Sequence, residues 1–206
     1  MEEDRIIRSM VDRDLLGVHR EYLVLEYAKG DRLYVGAYGV GLRIFDLKED
    51  PTNPTLLWND APRQGHDATA VGDRLYDFHG RDGTNIYDIT FPSEPQLLGS
   101  ITHPTISYHH SGWPTEDGRY LFLSDELARD STADVTVWDI QDPTDPVLVA
   151  EIMDPDASMH NLYIIGDYAY LSHYTAGFRL YDVSNPTAPR LVDEYDTAPD
   201  LNEQGF

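Results

Sequence analysis

Cysteine is absent from the 206-residue sequence. That excludes a disulfide framework, a thiolate metal site and a thiol nucleophile. Lysine is nearly absent: Lys29 and Lys48 stand alone, the other bases are arginine, and 15 bases face 37 acids for a net charge of −22. Such a surface repels a phosphate backbone, so nucleic acid is excluded as a partner. No apolar run approaches the roughly 20 residues that a helical membrane span needs. No GxxxxGK[ST] loop and no strand–GxGxxG–helix context is present, and Gly36–Gly41 falls in an expected hairpin, which offers no helix N-terminus to a phosphate. A Gly-x-Ser-x-Gly elbow is missing too, and Ser111 beside His110, or Ser172 beside His173, makes no triad by adjacency alone.

What the chain does contain is one stretch written four times. The clearest copy is Gly166–Tyr195, GDYAYLSHYTAGFRLYDVSNPTAPRLVDEY, and the others are Gly30–Asn59, Gly72–Ile101 and Gly118–Ile152. Each reads as a glycine turn, a strand, a hairpin loop, a strand ending in aspartate, a Pro-x-x-Pro corner and a further strand. The strand-ending aspartates are Asp46, Asp88, Asp139 and Asp182, spaced by 42, 51 and 43 residues, and the long interval reflects an insertion at Glu126–Asp134. With an apolar strand before each glycine turn, the period predicts four antiparallel strands per copy, the signature of a β-propeller blade. The prolines fall between the third and fourth strands, where a missing N–H costs no ladder bond. The fold class expected is therefore all-β, a β-propeller with about four blades present, read as a fragment of a larger ring. Blades are expected at 19–60, 61–101, 102–152 and 153–195. Residues 1–18 form an N-terminal segment that suits a strand of a neighbouring blade, and 196–206 a tail or the start of a further blade. Trp138 aligns with Phe45, Tyr87 and Tyr181, which predicts inter-blade core.

Aligning the copies turns the histidines into a pattern. His66, His110 and His160 each open the first strand of a copy, whereas His79 and His173 end the second strand. Asp125 takes that last place in the third copy and Ala37 in the first. In an antiparallel pair these positions lie at the same end, which predicts a shared rim joined by Asp67, Glu126 and Asn161. Imidazoles and carboxylates on such a rim suit Zn²⁺, Mn²⁺ or Fe²⁺, with His79, Asp125 and His173 as leading ligands and Glu126 as a base. The competing expectation is that these imidazoles hydrogen-bond within their own blades. Arg81 and Asp82 sit in a hairpin loop, where Asp82-Gly83 reads first as a tight turn. Tyr108, Trp113 and Tyr174 suit stacking on a sugar or peptide, although Trp113-Pro114 also reads as packing. The acidic insertion Glu126–Asp134 lacks EF-type calcium spacing.

The sequences Leu42-Arg43-Ile44-Phe45-Asp46 and Phe178-Arg179-Leu180-Tyr181-Asp182, with the Pro-x-x-Pro corners and Pro189-Arg190-Leu191-Val192, resemble LVIVD-repeat propellers. Gly65-His66-Asp67, the run His109–Asp117, Asp125-Glu126-Leu127 and His160-Asn161-Leu162-Tyr163 are similar to the branch called choice-of-anchor B. The resemblance covers roughly Leu33 to Tyr195. It implies a bacterial or archaeal protein, exported or attached to the cell surface, without an assigned reaction and with further blades. Gly65-His66 is also similar to the Gly-His corner of WD-repeat propellers. The N-terminus carries acids where an export signal carries bases, and no apolar segment follows it.

The function expected is a non-enzymatic binding module at the extracellular or cell-surface side, with no catalytic residue assigned. Its partner is a small molecule, a glycan or a protein, and a divalent metal is the candidate cofactor. The alternatives are a metal-dependent hydrolase or lyase at the same rim, and a purely structural repeat module.

Overall fold

A computed structural model describes residues 23–29, 31–37, 41–60, 65–128, 132–154, 157–197 and 199. The expected N-terminal segment 1–18 lies outside the described residues, as does most of the expected tail. Among the described residues, four four-stranded antiparallel sheets account for nearly all regular structure. The first sheet runs β1 (Leu23–Lys29), β2 (Arg32–Ala37), β3 (Gly41–Asp46), β4 (Thr55–Asn59). The second runs β5 (Asp67–Val71), β6 (Arg74–Phe78), β7 (Thr84–Asp88), β8 (Gln96–Ile101). In the third, β9 (His109–Pro114), β10 (Tyr120–Asp125), β11 (Val135–Asp139) and β12 (Val147–Ile152) pair in order. The fourth contains β13 (Asn161–Ile165), β14 (Tyr168–His173), β15 (Gly177–Asp182) and β16 (Arg190–Tyr195), with a 3-10 turn at Tyr174–Ala176 between β14 and β15.

The repeat is held by polar turns as much as by apolar strands. Each strand-ending aspartate uses Oδ1 to accept the amide two residues on: Lys48 on Asp46 at 2.9 Å, Thr90 on Asp88 at 2.8 Å, Gln141 on Asp139 at 3.0 Å and Ser184 on Asp182 at 3.0 Å. Arg32, Arg119 and Arg190 donate to Asp46, Asp139 and Asp182 at 3.0, 2.8 and 2.9 Å. The Ser184 hydroxyl and amide, with Arg190, hold the Asp182 carboxyl down at about 2. In each Pro-x-x-Pro corner the residue before the first proline accepts from the amide three residues on, from Asn53, Glu94, Asp145 and Ala188 at 2.8 to 3.1 Å. Proline at the second turn position presets the backbone for that bond. These bonds explain why Asp and Pro-x-x-Pro recur, since every copy needs the same turn to launch its outer strand.

Contacts divide the chain into two units, Met1–His79 with Asn85–Leu98, and Gly80–Thr84 with Gly99–Phe206. The first has its own core of Tyr34, Leu42, Ile44, Ala68, Ala70, Leu75, Tyr87 and Ile89, against which Leu57 and Trp58 pack. There β5 lies against β1 and β2. The second has a core built on Phe122, Val135, Val137, Met159, Leu162, Ala169, Leu171 and Tyr181, and β13 packs on β9. Burial of the larger of these side chains, at about 1.5–3 kcal/mol each, is the main term opposing chain entropy. β15 alternates buried and half-buried residues, as a strand of period two should. Outer strand β16 is exposed throughout, and Tyr163, Ile165 and Tyr168 on β13 and β14 are exposed apolar side chains.

Candidate functional site

The histidines expected on one rim are divided between the units. His66, Asp67 and His79 belong to the first; Arg81, Asp82, His110, Trp113, Asp125, Glu126, His160, Asn161, His173 and Tyr174 belong to the second. Each occupies the strand end that the alignment gave it, with His110 and His160 at the start of β9 and β13 and His173 at the end of β14.

Within the second unit four side chains meet. Glu126, just past the end of β10, lies with Oε2 3.4 Å from His110 Nε2 and Oε1 3.7 Å from His160 Nε2. The Tyr174 hydroxyl donates to Glu126 Oε1. The His110 and His160 rings have centroids 4.5 Å apart, and Tyr174 meets His160 edge-on at 5.1 Å. His110 is buried, Glu126 is half-buried, and His160 keeps 38% of its side chain exposed, so the cluster opens to solvent on the His160 side. Burial, then the hydrogen bond to Glu126, pushes the Tyr174 phenol up, which keeps it a donor. Tyr174 is the one non-glycine among the described residues with a positive φ, at 22°. A backbone held there is strained, and such residues gather at functional sites. Beneath the cluster, the Ser111 hydroxyl lies 2.8 Å from that of Ser124 and donates to the His160 carbonyl at 3.2 Å, tying β9 to the start of β13.

Other expected residues serve the fold. Asp125 is clamped by three amides: Ser107 at 2.5 Å on Oδ2, and Tyr108 at 2.9 Å and Leu127 at 3.0 Å on Oδ1. Burial nonetheless raises its carboxyl above the usual range. His173 Nδ1 faces the Ala157 carbonyl at 3.2 Å and lies 3.6 Å from Asp154, which is paired with Arg179 at 2.9 Å. Both residues are thus engaged with backbone, the arrangement expected of imidazoles and carboxylates that hold a blade together. The metal set expected from the alignment was His79, Asp125 and His173. His79 lies in the first unit, and neither Asp125 nor His173 joins the Glu126 cluster. Trp113 packs on the second core, with its ring 5.0 Å from Tyr163. Arg81 and Asp82 are exposed turn residues between Gly80 and Gly83, both at positive φ. Asn161 bonds through its backbone, its amide and carbonyl both meeting the Ser172 hydroxyl at 3.2 Å.

In the first unit, His79 Nε2 lies 2.6 Å from Asp77 Oδ2 and 3.3 Å from Asn85 Nδ2. Asp60 completes a group with them in which one ligand atom from each of Asp60, Asp77 and His79 lies within 4.8 Å of the others. Asp67 is also buried; desolvation, with a further contribution from the Asp77 charge, pushes its carboxyl up to about 7 against the opposing bond from the Ala68 amide at 2.6 Å. His66 is half-buried, and its amide donates to the Phe78 carbonyl at 2.9 Å. Asp60 and Asp77 were not expected from the sequence. A signal for Asp77 existed: it stands five residues after its turn glycine, where the other copies carry Val35, Leu123 and Leu171.

Residues 158–197 match the LVIVD repeat. No curated protein matches the chain in sequence. Among solved structures, the periplasmic gluconolactonase PpgL of Pseudomonas aeruginosa is 14% identical, with 89% of this chain and 59% of that one covered at a TM-score of 0.66. A protein from Lactobacillus plantarum is 16% identical, with 86% and 57% covered, also at 0.66. The computationally designed Ika4 is 11% identical, with 80% and 93% covered at 0.57. The chain spans 59% and 57% of the two natural structures. The fold is that of β-propeller blades, an all-β chain of antiparallel four-stranded sheets.

Proposed function

We propose that this chain is a binding module whose recognition site is the His110–Glu126–His160–Tyr174 cluster, and that its ligand is a small, neutral, polyhydroxylated molecule such as a sugar. The observation that carries this reading is a half-buried carboxylate set between two imidazoles and a tyrosine hydroxyl, open on one side. A carboxylate accepts from ligand hydroxyls, imidazoles donate or accept, and aromatic ring faces pack on the apolar face of a sugar ring. The net charge of −22 disfavours phosphorylated or acidic ligands. Exposure at the cell surface, and a place in the choice-of-anchor B branch, belong to the same reading; the His109–Asp117 and His160–Tyr163 motifs support both.

A second reading is hydrolytic. It is favoured by the fold likeness to a gluconolactonase and by a carboxylate hydrogen-bonded at a solvent-facing site. There Glu126 would take a proton from the water that adds to a lactone carbonyl and return it to the ring oxygen as the acyl C–O bond breaks, leaving the open-chain hydroxy acid. Titration calorimetry with neutral monosaccharides and oligosaccharides, together with pH-stat assays on an aldonolactone, separates the two. Saturable sugar binding lost in Glu126→Gln, without lactone turnover above the uncatalysed rate, supports the binding module. Turnover lost in Glu126→Gln supports the hydrolase. Neither binding nor turnover in folded wild-type protein sinks both.

A further inference from the structure

We propose that Asp60, Asp77 and His79 form a site for a divalent transition-metal ion in the first unit, separate in residues and in role from the Glu126 cluster. The inference starts from a break in the repeat. Five residues past the turn glycine, the copies carry Val35, Leu123 and Leu171, each no more than 1% exposed, as blade core requires. The second copy places Asp77 there, at 0% exposure. A carboxylate in a slot built for an aliphatic side chain loses its hydration, and such groups persist in interiors when paired or bound to metal. The same copy places His79, 2% exposed, at the end of the same strand, with Nε2 2.6 Å from Asp77 Oδ2. From the segment after β4 comes Asp60, the third donor.

The donor atoms lie within 4.8 Å of one another. Ligand bonds of roughly 2.0–2.2 Å place donors about 3.3–3.6 Å apart in a tetrahedral shell and up to about 4.4 Å apart in an octahedral one, so closure around an ion needs shifts of roughly an ångström or less. Two carboxylate oxygens and one imidazole nitrogen suit an ion of intermediate hardness, Mn²⁺ or Zn²⁺, with water completing the shell. Asn85, 3.3 Å from His79 Nε2, and Asp67 on the strand beside Asp77 stand around the donors, where they can orient them. The ion would replace the Asp77–His79 contact and offset the charge gathered in that interior. Within the first unit, the site joins β6 to the segment following β4, so its occupancy stabilises the packing of two sheets.

The test uses full-length protein purified without a metal-affinity column, stripped with EDTA and dialysed. Titration with MnCl₂ and, separately, ZnCl₂ is expected to fill about one equivalent and to raise Tm. Asp60→Asn, which changes a half-buried side chain outside any strand, is expected to weaken binding at least tenfold while the circular-dichroism spectrum stays unchanged. His79→Gln is expected to do the same and to remove nitrogen coupling from the electron spin echo of the Mn²⁺ form. Asp77→Leu, which restores the apolar residue of the other copies, is expected to fold and to bind no ion. Glu126→Gln is expected to bind as wild type does. Less than about a tenth of an equivalent bound by wild type overturns the proposal. So does unchanged affinity in Asp60→Asn and His79→Gln, or loss of binding in Glu126→Gln alone.

Discussion

The Tyr174 hydroxyl donates to Glu126 Oε1, joining residues 48 apart in the chain and drawn from two neighbouring blades of the second unit. The bond holds the carboxylate at one edge of the cluster. Removing the hydroxyl in Tyr174→Phe is expected to weaken sugar binding about ten- to hundredfold, the worth of one hydrogen bond to a charged group. Melting should move by no more than a few degrees. Calorimetric titration beside a thermal melt checks both, and an equal loss of affinity and stability would assign Tyr174 to the fold instead.

Asp125 is expected to matter for stability. Three buried or half-buried amides converge on its carboxylate. Asp125→Ala leaves them without that acceptor and should cost about 2–4 kcal/mol in urea unfolding. Asp125→Asn, which keeps one acceptor oxygen, should cost roughly half as much. A cost below about 0.5 kcal/mol for the alanine variant would contradict the clamp.

Asp134 makes the second unit pH-sensitive in a direction that runs against most carboxylates. Burial, assisted by the nearby Asp154 charge, pushes its carboxyl up to about 6, although the Asp154 amide bonds it at 2.6 Å. Its folded pKa lies above the roughly 3.9 of an unfolded chain, so the folded state binds more protons between these values. This contribution to stability is complete below about pH 4 and is lost as pH rises through about 6. Asp134→Asn should therefore stabilise the protein at pH 7.5 by about 1 kcal/mol, after discounting for screening, and change little at pH 4. Denaturant melts at the two pH values read the difference.

Two glycines at positive φ separate backbone strain from crowding. Gly72, at φ 61°, has nothing within 4 Å of where a Cβ would stand. Alanine there should cost about 1–2 kcal/mol, the left-handed penalty alone. Gly177, at φ 82°, would place its Cβ 2.3 Å from the Tyr195 carbonyl oxygen and 2.6 Å from the Thr197 amide. Alanine at Gly177 should cost clearly more, about 3 kcal/mol or above. Equal costs at both sites would remove the close approach of β15 to the end of β16 as a constraint.

Much of this architecture was legible from residue order. The turn glycines, strand-ending aspartates and Pro-x-x-Pro corners act within a few residues of themselves, so the sequence carries them directly, and strands such as Arg74–Phe78, Gln96–Ile101 and Arg190–Tyr195 stand where the period predicts. His110, His160, Glu126 and Tyr174 were also legible as candidates, because equivalent positions in successive blades fall at equivalent strand ends. Asp77 was legible too, since it stands two residues before His79 at a position where the other copies carry an aliphatic residue.

The sequence by itself determined the all-β class, the repeat and its turns, because these depend on hydrogen bonds and periodicities that span a few residues. Only the tertiary structure decided which side chains at the strand ends face one another. Asp125 and Glu126 are adjacent in sequence, yet one turns back to the amides of Ser107, Tyr108 and Leu127 while the other turns out to His110, His160 and Tyr174. Asp125 ends β10 and Glu126 opens the turn that follows, so the backbone changes direction between them. What each side chain then meets depends on packing between segments distant in the chain, and no local pattern encodes that.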